Sequence, residues 1–281
     1  MTKEKIIFFG NGPLADFALE ALKEADLEII FHAREKADLE KVKELKKSDP
    51  SIHGILASYG VIIKPDVLEL FEPEGILNIH PSLLPQYRGP SPIETAILNG
   101  DTTFGVSVMK LVSAMDAGPI FYQASFPEKT IFKDANISFA PDYKPTIYKK
   151  LASAGADWIA KHLTNLPTPT DQSISDTEPT FCQKFDKSMS PLDPNHKTAK
   201  ELENQIRAFS GFPKSKYTFF GLDCIVISAH VATSKESKNC QNQARTLLIK
   251  CYDQSALIID QIQPAGRKIM DAKSFINGYA K

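Results

Sequence analysis

Residues 76–116 read ILNIHPSLLPQYRGPSPIETAILNGDTTFGVSVMKLVSAMD, and the organisation of the rest of the chain follows from them. Gly75-Ile76-Leu77 starts a short apolar strand that runs into Asn78, Ile79 and His80. Side chains alternate along a strand, so Asn78 and His80 share one face and Ile79 takes the other. An amide beside an imidazole at the carboxyl end of a strand suits a reacting site. The amide can donate to a developing oxyanion and the imidazole can carry a proton near neutral pH. Pro81-Ser82-Leu83-Leu84-Pro85 follows as an apolar loop whose path two prolines fix. Tyr87-Arg88-Gly89 leads to a helix predicted from about Pro90 or Ser91, with Pro92 in its first turn. Met115-Asp116-Ala117-Gly118 places one carboxylate in a turn between strands predicted over 105–111 and 119–126. Taken singly, His80 fits a structural histidine, Asp116 an ordinary turn residue and SLLP any buried loop.

Upstream, Lys5 to Phe9, Leu27 to Phe31 and Ile52 to Leu56 read as strands. Between them lie a helix opening at Pro13 and a charged helix over 36–47, and a further helix follows Pro65. Strands alternating with helices imply a parallel, doubly wound α/β sheet, with ligands beyond the carboxyl ends of its strands. Asn78, His80 and the Ser58-Tyr59-Gly60 turn fall at that edge. Gly10-Asn11-Gly12-Pro13-Leu14-Ala15 also fits the dinucleotide fingerprint G-x-G-x-x-A. The acidic residue that fingerprint needs comes late, as Glu35, and proline is an awkward fourth residue. A nicotinamide-dependent oxidoreductase is therefore a rival reading.

The chain has 281 residues, enough for two domains, and a formal net charge of −1. That charge is split. Residues 181–281 hold 15 Lys+Arg against 9 Asp+Glu, a net of +6, and residues 1–180 carry −7. A basic half points to a polyanionic partner, or to a solvated basic surface. There is no run of about 18 apolar residues for a membrane span. Met-Thr-Lys-Glu-Lys leads straight into a strand, so no signal peptide is expected. Four cysteines without a Cys-x-x-Cys pair suggest neither disulfides nor a zinc site. A cytoplasmic, monomeric protein without a metal is the expectation. A helix is predicted over 143–163, with Trp158 read as core. Residues 165–180, rich in proline and serine, read as a linker between domains at 1–164 and 181–281. After a helix near 197–209, short alternating runs over 216–220, 224–232, 246–252 and 256–263 suggest a small β-barrel.

Asn-Ile-His-x-Ser-Leu-Leu-Pro over 78–85, with the later Met-Asp-x-Gly, resembles the 10-formyltetrahydrofolate-dependent formyltransferases. The Arg88-Gly89-Pro90-Ser91-Pro92-Ile93 extension is most similar to their methionyl-tRNA formyltransferase branch. Ile206 to Phe220 and Gln263-Pro264-Ala265-Gly266-Arg267-Lys268 resemble the start and close of that branch's C-terminal domain. The resemblance implies a Rossmann-like catalytic domain, which accounts for the Gly-x-Gly turn without a dinucleotide, followed by an OB-like barrel. It implies 10-formyltetrahydrofolate as co-substrate, methionyl initiator tRNA as acceptor, and Asn78, His80 and Asp116 as catalytic residues. Ser82, Leu83, Leu84 and Pro85, with Tyr59, Gly60 and Ile63, would line the folate slot. Arg88, Lys36, Lys214, Lys216, Arg245, Arg267 and Lys268 are candidate tRNA contacts, each weak because phosphate binding sums over several cations. One departure stands out: family members usually carry a longer basic glycine-containing loop after the second strand, and here Arg34-Glu35-Lys36-Ala37 passes straight into a helix. Two other readings share parts of the pattern. A formyltransferase acting on a nucleotide-linked amino sugar would use the same chemistry, and a passive RNA-binding protein would have no need of the Asn78, His80 and Asp116 set.

Overall fold

A computed structural model describes residues 3–133, 143–236 and 246–280, so Arg245 lies outside the described residues. The chain divides into two compact units, one of residues 1–93, 102–133 and 145–184, the other of residues 94–101, 134–144 and 185–281.

In the first unit, strands β1 (Lys5–Gly10), β2 (Glu28–Ala33), β3 (His53–Ala57) and β4 (Ile76–His80) are parallel. Strands β5 (Thr103–Lys110) and β6 (Ile120–Pro127) add to them antiparallel, in the order β2-β1-β3-β4-β5-β6. Ile6, Ile7, Phe8 and Phe9 of β1 are wholly buried, as a continuous apolar run on a sheet covered on both faces should be. Helices α1 (Pro13–Glu24), α2 (Asp38–Ser48) and α3 (Pro65–Leu68) lie between these parallel strands in sequence, and further along the chain come α4 (Pro92–Asn99), most of which belongs to the second unit, α5 (Glu128–Ile131) and α6 (Tyr143–His162). On α1, Leu14, Ala15, Ala18, Ala21 and Leu22 form the buried stripe at helical spacing.

The Gly-x-Gly turn has a packing reason. A Cβ on Gly10 would lie 2.5 Å from the Ala57 carbonyl oxygen and 2.7 Å from the Ala15 Cβ. At the end of β2 the His32 ring bonds the Gly10 carbonyl at 3.0 Å. On α6, Ile147, Leu151 and Ile159 are buried, and a Cβ on Gly155 would come within 2.7 Å of the Ile79 side chain. Helix α6 thus covers the Ile79 face of β4 and leaves the Asn78 and His80 face for the site. Trp158, expected in the core, is only partly buried and stacks on Tyr122, ring centroids 5.3 Å apart.

The stretch read as a linker is tied down rather than free. Ile120 and Thr170 exchange backbone hydrogen bonds at 2.7 Å, Arg88 N donates to the Thr180 carbonyl at 2.9 Å, and Cys182 N to the Arg88 carbonyl at 2.8 Å. Its lack of hydrophobic period hid this, because the ties are main-chain bonds to an edge strand and a loop.

The second unit contains α7 (Ala199–Ala208), β7 (Ser215–Phe219), β8 (Leu222–Val231), β9 (Leu248–Lys250), β10 (Ala256–Pro264), β11 (Met270–Asp271) and α8 (Ala272–Tyr279). Thr198 and Glu201 form a capping box at the start of α7. The sheet is antiparallel, with β10 paired to β8 on one edge and to β9 and β11 on the other. It is a half-barrel: among the described residues β7 is not paired to β9 or β11. Leu202 and Ile206 of α7 and Phe275 of α8 join Val226, Leu257 and Ile262 in its core.

Candidate active site

Register puts Asn78 opposite Met109 and His80 opposite Ser107, both buried at the carboxyl end of β4. The turn between β5 and β6 brings Asp116 to them. Its Oδ1 lies 3.5 Å from Asn78 Nδ2 and 3.7 Å from His80 Nδ1, and its Oδ2 accepts a hydrogen bond from Gly89 N at 2.8 Å. The structure therefore gathers the three residues that the sequence singled out as reacting groups. The first two separations are long for hydrogen bonds. Asp116 sits at φ 47° and Tyr87 at φ 56°, in the left-handed region that side chains other than glycine seldom occupy. Such conformations cost about 1–3 kcal/mol each and persist where surrounding contacts enforce them, often at functional sites.

His80 Nε2 meets the Tyr87 carbonyl oxygen at 3.0 Å. That oxygen only accepts, so the neutral ring carries its proton on Nε2 and leaves Nδ1 as a bare lone pair facing Asp116. Burial pushes the His80 imidazole below its ordinary value, and the Asp116 carboxylate and the Tyr87 carbonyl pull it part of the way back. Burial dominates. The pair is a neutral imidazole beside a carboxylate rather than a standing ion pair, ready to become one when a proton arrives.

The loop after β4 is held from below by Ser107, which is fully buried. Its hydroxyl donates to the Ser82 carbonyl at 2.6 Å and accepts from Leu84 N at 3.1 Å and Gln123 Nε2 at 3.0 Å. Gln123 Nε2 also donates to the Leu84 carbonyl at 2.8 Å. Ser82 turns its hydroxyl to the Gln86 carbonyl, and Leu83 covers Gly105, where a Cβ would stand 2.2 Å from the leucine Cγ. Leu84 and Pro85 line a cleft of about 390 Å³ with Ile120, Tyr122, Gln123 and Gln172.

Other expected site residues are placed differently. Tyr59 and Ile63 belong to the core with Phe9, Leu39 and Val67, and the Tyr59 hydroxyl donates to the Glu35 carbonyl at 2.7 Å. Burial holds that phenol up at about 12. At this loop it is the Gly60 backbone and Ile62, 87% exposed, that face outward. Arg88, expected to touch tRNA, turns its guanidinium to Gln172 Oε1, with bonds of 3.1 and 2.6 Å. Gln172 in turn donates to the carbonyls of Asp116 and Gly118, at 2.9 and 2.8 Å. Lys36 is exposed ahead of α2. Within α2, Lys41 pairs with Glu44, Lys43 with Glu40 and Asp66, and Lys46 is buried against the Ile52 carbonyl. In the second unit Lys214, Lys216 and Arg267 line a cleft of about 950 Å³, and Lys268 is exposed beside Arg267. Sequence reasoning missed Ser107, Gln123, Gln172 and Thr180. A serine inside a run of apolar residues, Phe104 to Met109, must find partners, and that was the one available signal.

An amide donor, a neutral imidazole and a carboxylate at a strand end make a site for acyl-type group transfer by proton movement and oxyanion stabilisation. The comparisons with known proteins agree. The formyl transferase family model matches residues 7–138, and the formyl transferase C-terminal domain model matches residues 185–280. A methionyl-tRNA formyltransferase of Borrelia hermsii is 34% identical over 248 residues, covering 84% of this chain and 75% of that one. The chain belongs to the formyl transferase family, alongside the methionyl-tRNA formyltransferases.

Solved structures share its fold at lower identity. HypX from Aquifex aeolicus in complex with tetrahydrofolic acid superposes with TM-score 0.64 at 16% identity, covering 99% of this chain. This chain spans 47% of that longer protein. The N-formyltransferase from Helicobacter canadensis, in complex with folinic acid and dTDP-3-aminofucose, gives TM-score 0.59 at 19% identity, covering 94% of this chain and all of that one. At these identities the likeness is one of fold.

Proposed function

We propose that this protein transfers the formyl group of 10-formyltetrahydrofolate to the α-amino group of methionyl initiator tRNA. The observation that carries the reading is the convergence of Asp116 on Asn78 and His80 at the end of β4, in a chain that carries both formyl transferase domains.

Ser82, Leu83, Leu84 and Pro85 hold the folate against the Gly60 turn. The acceptor amine attacks the formyl carbon, a C–N bond forms, and charge moves onto the formyl oxygen. Asn78 Nδ2 donates to that oxygen, and a preorganised donor of this kind is worth about 10²–10³ in kcat. His80 cannot donate from Nδ1 while the ring is neutral. It takes the proton the amine sheds, and the imidazolium so formed is balanced by Asp116. Deprotonation of the nucleophile thereby creates a second donor for the oxyanion. The proton then passes to N10, the C–N10 bond breaks, and tetrahydrofolate leaves. Proton-transfer help of this kind contributes roughly 10²–10⁴-fold. Lys214, Lys216, Arg267 and Lys268 hold tRNA phosphates. The protein acts as a monomer in the cytoplasm on this reading.

The test offers three acceptors with 10-formyltetrahydrofolate: methionyl initiator tRNA, methionyl elongator tRNA and a dTDP-linked amino sugar. Formylation of the initiator is expected, with activity lost in Asn78→Ala. Formylation of the amino sugar and of neither tRNA would overturn the acceptor assignment and install the sugar reading.

A further inference from the structure

We propose that Gln172, anchored by Arg88, is the positioning residue for Asp116, so that the segment 170–182 belongs to the transfer machinery and is more than a tether. The proposal rests on the reading of Asp116 as the carboxylate that balances His80.

Gln172 is buried, and its amide uses its whole hydrogen-bonding capacity. The Arg88 guanidinium can only donate, so Oε1 must face it, which it does from Nε at 3.1 Å and Nη2 at 2.6 Å. The NH2 group is thereby aimed the other way, at the carbonyls of Asp116 and Gly118. Arg88 thus sets the orientation of Gln172, and Gln172 grips the turn on both sides of Ala117. The grip falls where the backbone needs it, since Asp116 stands at a positive φ of 47°. The carboxylate is held at the same time by Gly89 N, next to Arg88 in the chain. One oxygen is therefore fixed, and the other is left to face Asn78 and His80.

The same segment also holds the His80 side. Thr180 Oγ1 accepts from Tyr87 N at 2.8 Å, and the Thr180 carbonyl accepts from Arg88 N at 2.9 Å. Tyr87 supplies the carbonyl that sets the His80 tautomer. Residues 170–182 thus grip the partners of both titratable groups. Among the described residues, the hydrogen bonds that this segment makes beside the site go to the Asp116 and Gly118 carbonyls, Arg88 and the Tyr87 backbone rather than to the Asn78, His80 or Asp116 side chains, which makes its role one of placement.

The experiment uses the full chain with 10-formyltetrahydrofolate and methionyl initiator tRNA. Gln172→Met removes all four hydrogen bonds, and Gln172→Glu keeps the acceptor for Arg88 while losing both donors. Each is measured alone and combined with Asp116→Asn. Misplacement of a reacting group by about 1 Å costs up to about 100-fold, so kcat should fall about 10- to 100-fold in both single variants. KM for both substrates should stay within about threefold, the signature of an interaction made in the transition state. In the Asp116→Asn background the Gln172 substitutions should lower kcat by less than about twofold more, because residues acting through one another are not additive. Equal losses in both backgrounds would mean a merely structural role and overturn the proposal, as would a Gln172→Met enzyme with full kcat. Full kcat in Asp116→Asn would instead sink the reading of Asp116, and this proposal with it. Urea titration followed by Trp158 fluorescence shows whether Gln172→Met folds; if it does not, Gln172→Glu decides.

Discussion

Replacing Ser107 by alanine removes one oxygen atom from the middle of β5, and the structure gives that atom an unusual number of dependants. It is fully buried, donates to the Ser82 carbonyl, and accepts from Leu84 N and Gln123 Nε2. Gln123 keeps the Leu84 carbonyl in the variant, so its loss is small. The Ser82 carbonyl and the Leu84 N–H lose the side-chain partner that Ser107 gives them. An orphaned buried backbone group costs about 1–3 kcal/mol, so with two of them Ser107→Ala should lose about 2–6 kcal/mol. The chain has a single tryptophan, and Trp158 lies on α6 in the unit that holds Ser107. Urea unfolding followed by Trp158 fluorescence therefore reads the right unit. The midpoint should fall at unchanged slope. The Ser82–Pro85 loop should loosen in the folded variant, so the affinity for 5-formyltetrahydrofolate, a stable analogue of the co-substrate, should drop as well. A stability loss under about 0.5 kcal/mol with unchanged analogue affinity would refute the view that Ser107 holds the loop.

Gly118→Ala should cost more than about 100-fold in kcat, since its Cβ would stand 1.9 Å from the Lys110 carbonyl oxygen and must push the Asp116 turn away; steady-state kinetics on a folded variant checks this. Burial lowers the His80 pKa in the folded state, so the unfolded chain binds this proton more readily. Its contribution to stability is then complete above the ordinary value of 6.5 and shrinks as pH falls through it. Urea midpoints read at Trp158 from pH 7.5 to 5 should fall more steeply in the unsubstituted protein than in His80→Asn. Lys214→Ala, Lys216→Ala and Arg267→Ala should each weaken tRNA binding and reduce its salt slope by about one, whereas Arg88→Ala should leave that slope unchanged and lower kcat. A filter-binding salt titration separates these outcomes.

Much of the site was legible in the chain. Period-two alternation alone put Asn78 and His80 on one face and Ile79 on the other, and the structure sets Ile79 against Gly155 of α6. Strands alternating with helices announced a doubly wound parallel sheet, and the turn at 115–118 placed Asp116 between two apolar strands, which the structure pairs antiparallel. The helix near 197–209 and the short alternating runs beyond it marked the character of the second unit. Short elements escaped: β11 has two residues, too few for a pattern to show. The resemblance implies Tyr59 and Ile63 as slot residues, yet the structure packs both side chains into the core.

What the sequence determined by itself is therefore whatever depends on near neighbours: the strand-end amide and imidazole, the turn carboxylate, the loop between the prolines and the split of charge. Only the tertiary structure decided which nitrogen of His80 carries the proton, why Arg88 points inward, and that Ser107, Gln123 and Gln172 hold the site together. The physical reason is range. Side-chain periodicity is a property of one element, but a buried hydrogen bond is satisfied by whatever the fold brings within about 3 Å, and Gln172 finds Arg88 from 84 residues away.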